Sequence, residues 1–142
     1  MNPQFNADAL PGTLHEAAIG YRHLAALGGL RHRAKGAPPS PNGLWRNEAF
    51  QAYADYAMTA PFRAGLGELL GLAEGHVCAI MCAEAVWWRC HRRIIADYLL
   101  AGGVAVEHIL GPENINPATM TPGAEPHRDG TIVYPAAQGE LL

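Results

Sequence analysis

Beyond Asn47, apolar residues recur three and four positions apart. Phe50, Tyr53 and Ala57 share one helical face, and Asn47 is a residue type that caps helix starts. Pro61 opens a second helix, where its missing N–H costs little. Phe62, Leu66, Leu69, Leu70 and Leu72 give that helix an apolar side, which fades at Gly75. A third helix is expected from about His91 to Ala101, with Gly102-Gly103 as its stop. Val77–Cys82 breaks this period and is nearly all apolar, which suits a strand buried on both faces. Val104–Leu110 suits another strand. Strand, helix, strand over this distance is a βαβ unit with parallel strands and a right-handed crossover.

The remaining pattern is less regular. Asn2–Ala18 reads as a short helix after Pro3, interrupted near Pro11-Gly12. Tyr21–Leu24 is strand-like and runs into glycines. "RHRAKGAPPSPNGLW" is a long loop whose prolines and glycines defeat any period. "HRDGTIVY" suits a hairpin turning at Asp129-Gly130. The expected fold is one α/β domain over residues 1–142. It has a mainly parallel, Rossmann-like sheet flanked by helices, a C-terminal β-hairpin, and a frayed tail over residues 136–142.

Composition narrows the class. The 142 residues are 49% hydrophobic and 16% charged, with net charge −3, which argues against a dedicated nucleic-acid binder. The charge is uneven, however. Between Ala17 and Asn47 there is no acid, yet Arg22, Arg31, Arg33, Lys35 and Arg46 lie there. The long loop over residues 31–46 is therefore basic, either a solvated surface or an attractor of anions. No apolar run is long enough to span a bilayer, no leader peptide is evident, and three cysteines cannot all pair within the chain. A reducing cytoplasm is the expected location.

The chemistry concentrates in "MCAEAVWWRCHRRIIAD", residues 81–97. Ligands of parallel sheets bind beyond the carboxyl ends of the strands, where Cys82 and Glu84 fall. Cys78, mid-strand, is expected to be a small buried hydrophobe. Cys90 sits beside a helix start among Arg89, His91, Arg92 and Arg93, a setting that stabilises a thiolate. Packing and metal ligation are its other readings. Bases at a helix N-terminus oppose the dipole, which suggests that they hold an anion. The catalytic candidates are Cys82, Glu84, Cys90 and His91, with Glu84 or His91 carrying the proton. Arg92 and Arg89 are the anion-binding candidates. Of Trp87 and Trp88, one is expected in the core and the other to wall a pocket for a flat ligand, Trp88 being the ligand-binding candidate. His23, His108 and Tyr53 are further ligand-facing candidates, although His108 and Tyr53 also suit simple packing. Cys82, Cys90 and a histidine form an alternative metal set, although their spacing is not that of a zinc ribbon. No glycine fingerprint, phosphate-binding loop or nucleophile elbow is present, and no motif specifies a cofactor.

"MCAEAVWWRCHRRIIADYLLAGGVAVEHIL" resembles the signature of the bacterial domain-of-unknown-function family 488, with its C-A-E strand end, C-H-R helix start and V-x-H-I strand. "NPQFN", "YRHLAALGG" and "WRNEAFQAYADYAMTAPFRAGLGELL" are similar to the same family in the same order. The family's usual opening, a T-I-G-H-S strand, a helix and a strand ending in D-V-R, has no counterpart here. The chain is thus expected to be N-terminally truncated. The resemblance implies an α/β fold, a site around Cys82, Glu84, Cys90, His91 and Arg92 whose opposite wall those loops would build, and exposed strand edges open to self-pairing. It implies no reaction. The expected function is an enzyme-like domain acting on a small anionic ligand, phosphate- or nucleotide-like. A non-catalytic nucleic-acid or protein binding module and a metal-binding domain are the alternatives.

Overall fold

The computed structural model describes residues 8–33, 35–82, 88 and 90–137. Its helices follow the apolar periodicity closely. Helix α1 spans Leu10–Glu16. Pro11 falls in its first turn, so Pro11-Gly12 begins this helix instead of interrupting one. Helix α2 spans Glu48–Tyr56, and the Asn47 side chain accepts from the N–H groups of Ala49 and Phe50 at 2.9 and 3.3 Å. Helix α3 spans Ala60–Ala73, with Pro61 in its first turn. Helix α4 spans Arg92–Ala101 and stops at Gly102-Gly103, Gly103 taking φ +82°.

The strands differ from expectation. Strand β1 (Glu107–Gly111) pairs antiparallel with β2 (Asn114–Pro117), and β3 (Glu125–Pro126) pairs antiparallel with β4 (Ile132–Val133). The second ladder is the C-terminal hairpin, closed by Gly130 at φ +89°. Among the described residues no strands are parallel, so the expected mainly parallel, Rossmann-like sheet is replaced by two small hairpins. Two causes are visible. A two-residue turn over residues 112–113 brings Asn114–Pro117 straight back onto β1, and so short a loop closes at little entropic cost. Residues 77–82 lack the flanking layers that a doubly buried strand needs. Val77 is fully exposed, Met81 is 56% exposed, and only Ile80 packs partly on the core. Cys78 is therefore exposed, not the buried hydrophobe expected. Residues 21–24 are likewise no strand; they lead into a single 3-10 turn over Ala25–Leu27.

The core lies between α2, α3, α4 and the C-terminal hairpin. Tyr53, Ala54, Phe62, Ile94, Ile95, Tyr98, Ile132 and Tyr134 are its centre. Phe62 meets Tyr98 edge-on, with centroids 4.9 Å apart. Gly65 lets α3 approach the 3-10 turn, since a Cβ there would come within 2.8 Å of Ala26 Cβ. The long basic loop is tied down by polar groups. The Asp55 carboxylate accepts from Ser40 Oγ at 2.5 Å and Asn42 Nδ2 at 2.7 Å, and pairs with Arg33 Nε at 3.1 Å. Asn42 Oδ1 in turn accepts from the Tyr134 N–H at 2.8 Å.

Residues 94–99 of α4 are all buried, so this helix is enclosed on every side. Its one charged member there, Asp97, accepts from Tyr134 Oη at 2.8 Å and from the Thr121 N–H at 2.9 Å. Burial and the Asp97 charge together push the Tyr134 phenol far above its ordinary pKa, so it stays a donor. Asp97→Ala strands both donors. It should lower unfolding free energy by about 3 kcal/mol in urea titrations, against less than about 0.5 for an ordinary surface change; the smaller loss would refute this reading.

Candidate functional site

Helix α4 begins without a side-chain cap from its N-cap residue, His91, and with no acid in its first turn. The residue serving that turn is Cys90. Its Sγ accepts from the Arg92 backbone N–H at 3.3 Å and from Arg92 Nε at 2.9 Å. Cys82 Sγ donates to the same sulfur from 3.4 Å. Three donors thus converge on one buried sulfur at the positive end of a helix. Arg92 answers in kind. Burial opposes its charge, but the hydrogen bonds and charges of Cys90 and Cys82 outweigh that and hold its pKa above the ordinary value. Two of the bases at this helix start have local partners. Arg92 faces the sulfur, while Arg93 donates to Thr121 Oγ1 at 3.2 Å and lies 5.1 Å from the Trp45 ring centroid.

His91 completes the cluster. One of its ring nitrogens, Cys82 Sγ and Cys90 Sγ all lie within 4.8 Å of one another. The imidazole is held between Tyr53, at 5.1 Å between centroids, and the backbone of Gly29. A Cβ at Gly29 would stand 2.4 Å from His91 Nδ1, so only glycine fits there. Burial, then the Arg92 and Arg31 charges, lower the His91 pKa below its usual value. Two sulfurs and an imidazole suit a soft cation such as zinc, with a fourth position left for water or substrate. The same trio equally suits thiol chemistry beside a neutral imidazole.

The other candidates are scattered. Tyr53 is buried beneath the cluster, its Oη donating to the Leu27 carbonyl at 2.7 Å; it supports His91. His108, on β1, is buried within reach of the Arg92 and Asp97 charges, and burial and then Arg92 lower its pKa. Trp88 is 44% exposed. His23 is exposed and does not belong to the sulfur cluster. Glu84, Trp87 and Arg89 lie outside the described residues. Gly29 and Arg31 escaped sequence reasoning. Arg31 looked like one base of a solvated loop, yet its guanidinium sits 3.8 Å from the Tyr56 ring centroid and donates to the Gly28 and Ala25 carbonyls. The paired glycines before it were the only available signal. An open groove of about 700 Å³ under the loop, lined by Arg31, Arg33, Pro38, Asp55, Tyr56 and Met58 among others, includes neither sulfur of the cluster.

The two lowered histidines set a pH dependence. The unfolded chain protonates them near their ordinary value of about 6.5, while the folded chain resists. Their contribution to stability is present above that value and lost as pH falls below it. The urea midpoint should therefore drop between pH 7 and pH 5, and a His91→Gln, His108→Gln double variant should show a flatter profile. An unchanged profile in the double variant would contradict this.

Comparison with known proteins adds one finding. The family model described as Domain of unknown function DUF488 matches residues 1–99, which include the C-A-E and C-H-R segments and nearly all of α4. No curated protein and no solved structure matches the chain. A match over more than half of the sequence, on the segments that build the sulfur cluster, makes this chain a member of the DUF488 family.

Proposed function

We propose that this protein is an enzyme-like domain that uses a cysteine thiol on a small anionic ligand. The observation carrying this reading is the convergence of Cys82 Sγ, Arg92 N–H and Arg92 Nε on Cys90 Sγ. Such donors face any negative charge carried by a group that bonds to the sulfur. Cys90 is the reactive sulfur. Cys82, half-buried, is the more exposed of the two. His91, neutral near pH 7, accepts or returns the proton. Arg92 and Arg31, both of which act on His91, make the surroundings cationic and so favour a phosphate- or carboxylate-bearing ligand. Glu84 and Arg89 belong to this reading by sequence position.

The nucleic-acid alternative gains less support. Arg22 pairs with Glu68 at 3.2 Å, Arg33 with Asp55, and Arg31 with backbone carbonyls, so much of the basic stretch is used within the chain. No helix among the described residues is long and apolar enough to cross a membrane.

The test uses Cys78 as an internal reference, because it is exposed and outside the cluster. Each cysteine is alkylated in parallel by iodoacetate, an anion, and iodoacetamide, which is neutral, and the rates are read by mass spectrometry. The iodoacetate-to-iodoacetamide ratio at Cys82 or Cys90 should exceed that at Cys78 by about tenfold, and fall towards it in Arg92→Gln. Equal ratios at all three cysteines, or inert cluster thiols, would overturn the proposal.

A further inference from the structure

Nothing so far uses the second sulfur as a reactant, yet Cys82 is placed to be one. Its Sγ lies 3.4 Å from Cys90 Sγ, and neither sulfur is in a disulfide. A disulfide holds its sulfurs at about 2.05 Å, so the pair need close by only about 1.4 Å, within reach of side-chain rotation. The two sulfurs come from different backbone segments, eight residues apart. Cys90 is buried and Cys82 half-buried, so Cys82 is the more exposed member of the pair. The Arg92 guanidinium hydrogen-bonds at Cys90 and also acts on Cys82, so one cation serves both sulfurs. A lone structural thiol needs none of this arrangement.

We infer that Cys82 and Cys90 form a redox-active dithiol pair, oxidised to a disulfide by a hydroperoxide and returned to the dithiol by a small thiol. The inference rests on Cys90 being the reactive sulfur of the proposed function. In the first step Cys90 Sγ attacks one peroxide oxygen. An S–O bond forms, the O–O bond breaks, and the thiol proton goes to the departing oxygen, which leaves as an alcohol or water. Cys90 is then a sulfenic acid. In the second step Cys82 Sγ attacks Cys90 Sγ. The S–S bond forms, the S–O bond breaks, and the hydroxyl leaves as water with the Cys82 proton. Two electrons have passed from the sulfurs to the peroxide. Two molecules of a small thiol reverse the oxidation by exchange, becoming a disulfide themselves. Arg92 positions the pair: its two donors fix Cys90 Sγ beside Cys82 and face the charge that develops on the departing oxygen.

The 142-residue chain, purified reduced and without chelators, is treated with one equivalent of hydrogen peroxide. The expected product is a monomer lighter by two hydrogens. Its peptide map joins Cys82 to Cys90, leaves Cys78 free for alkylation, and reverts with glutathione. Cys78→Ser should behave identically. Cys82→Ser should stop at a sulfenic acid on Cys90, captured by dimedone. Arg92→Gln should slow disulfide formation about tenfold while the chain stays folded, its thermal midpoint falling by only a few degrees. Cluster thiols that stay free under peroxide, oxidation running through Cys78 or between chains, or purified protein carrying one equivalent of zinc with peroxide-inert cysteines would each overturn the inference. Disulfide formation without preference for an anionic alkylating agent would support the dithiol pair and count only against the anionic ligand. Anion preference without disulfide formation would do the reverse.

Discussion

The carboxylate of Asp97 is the point on which the arrangement turns. Six consecutive residues of α4 are buried, so the helix is enclosed and cannot orient itself by keeping a polar face in water. It is oriented instead by one buried acid that finds the Tyr134 hydroxyl and the Thr121 N–H. An unpaired carboxylate at that depth would cost several kcal/mol, so rotations of α4 that break these bonds are penalised steeply. Tyr134 extends the constraint. Its N–H binds Asn42, whose amide binds Asp55, and its carbonyl accepts from the Leu44 N–H. The tail, the basic loop, α2 and α4 are thereby held in one polar network wrapped in aromatic packing. With α4 fixed, its first turn is fixed, and that turn carries Cys90, His91 and Arg92.

The helices were legible in the sequence because their signals are local. Asn47 caps where a capping residue should, Pro61 falls in a first turn, and Gly103 ends α4 in a left-handed conformation. The strands were not legible, because a strand is defined by its partner. The apolar run over residues 77–82 has the composition of a buried strand, but burial comes from neighbouring layers, and composition does not say whether those layers exist. Strand β1 was located to within three residues; its partner was not, since the return over Asn114–Pro117 carries little β-propensity.

The site was half legible. Three of the expected residues, Cys82, Cys90 and His91, converge in space. The misplaced-looking charges pointed to an anion. The structure gives one of them, Arg92, a partner inside the chain, the sulfur of Cys90. Gly29 was invisible as a site residue because its role is to be absent: a missing Cβ leaves room for the His91 ring. Arg31 was obscured by its setting in a basic loop. Both lie some sixty residues from the cluster in sequence, beyond the reach of local pattern.

The central claim is that the start of α4 is organised around the Cys90 sulfur as acceptor for Arg92. A double-mutant cycle tests it most directly. Unfolding free energies are measured for the parent chain, Cys90→Ala, Arg92→Gln and the double variant. The account predicts a coupling of about 1–2 kcal/mol between the two positions, because each single change removes the same charge-assisted hydrogen bond. Additivity to within about 0.3 kcal/mol would contradict it.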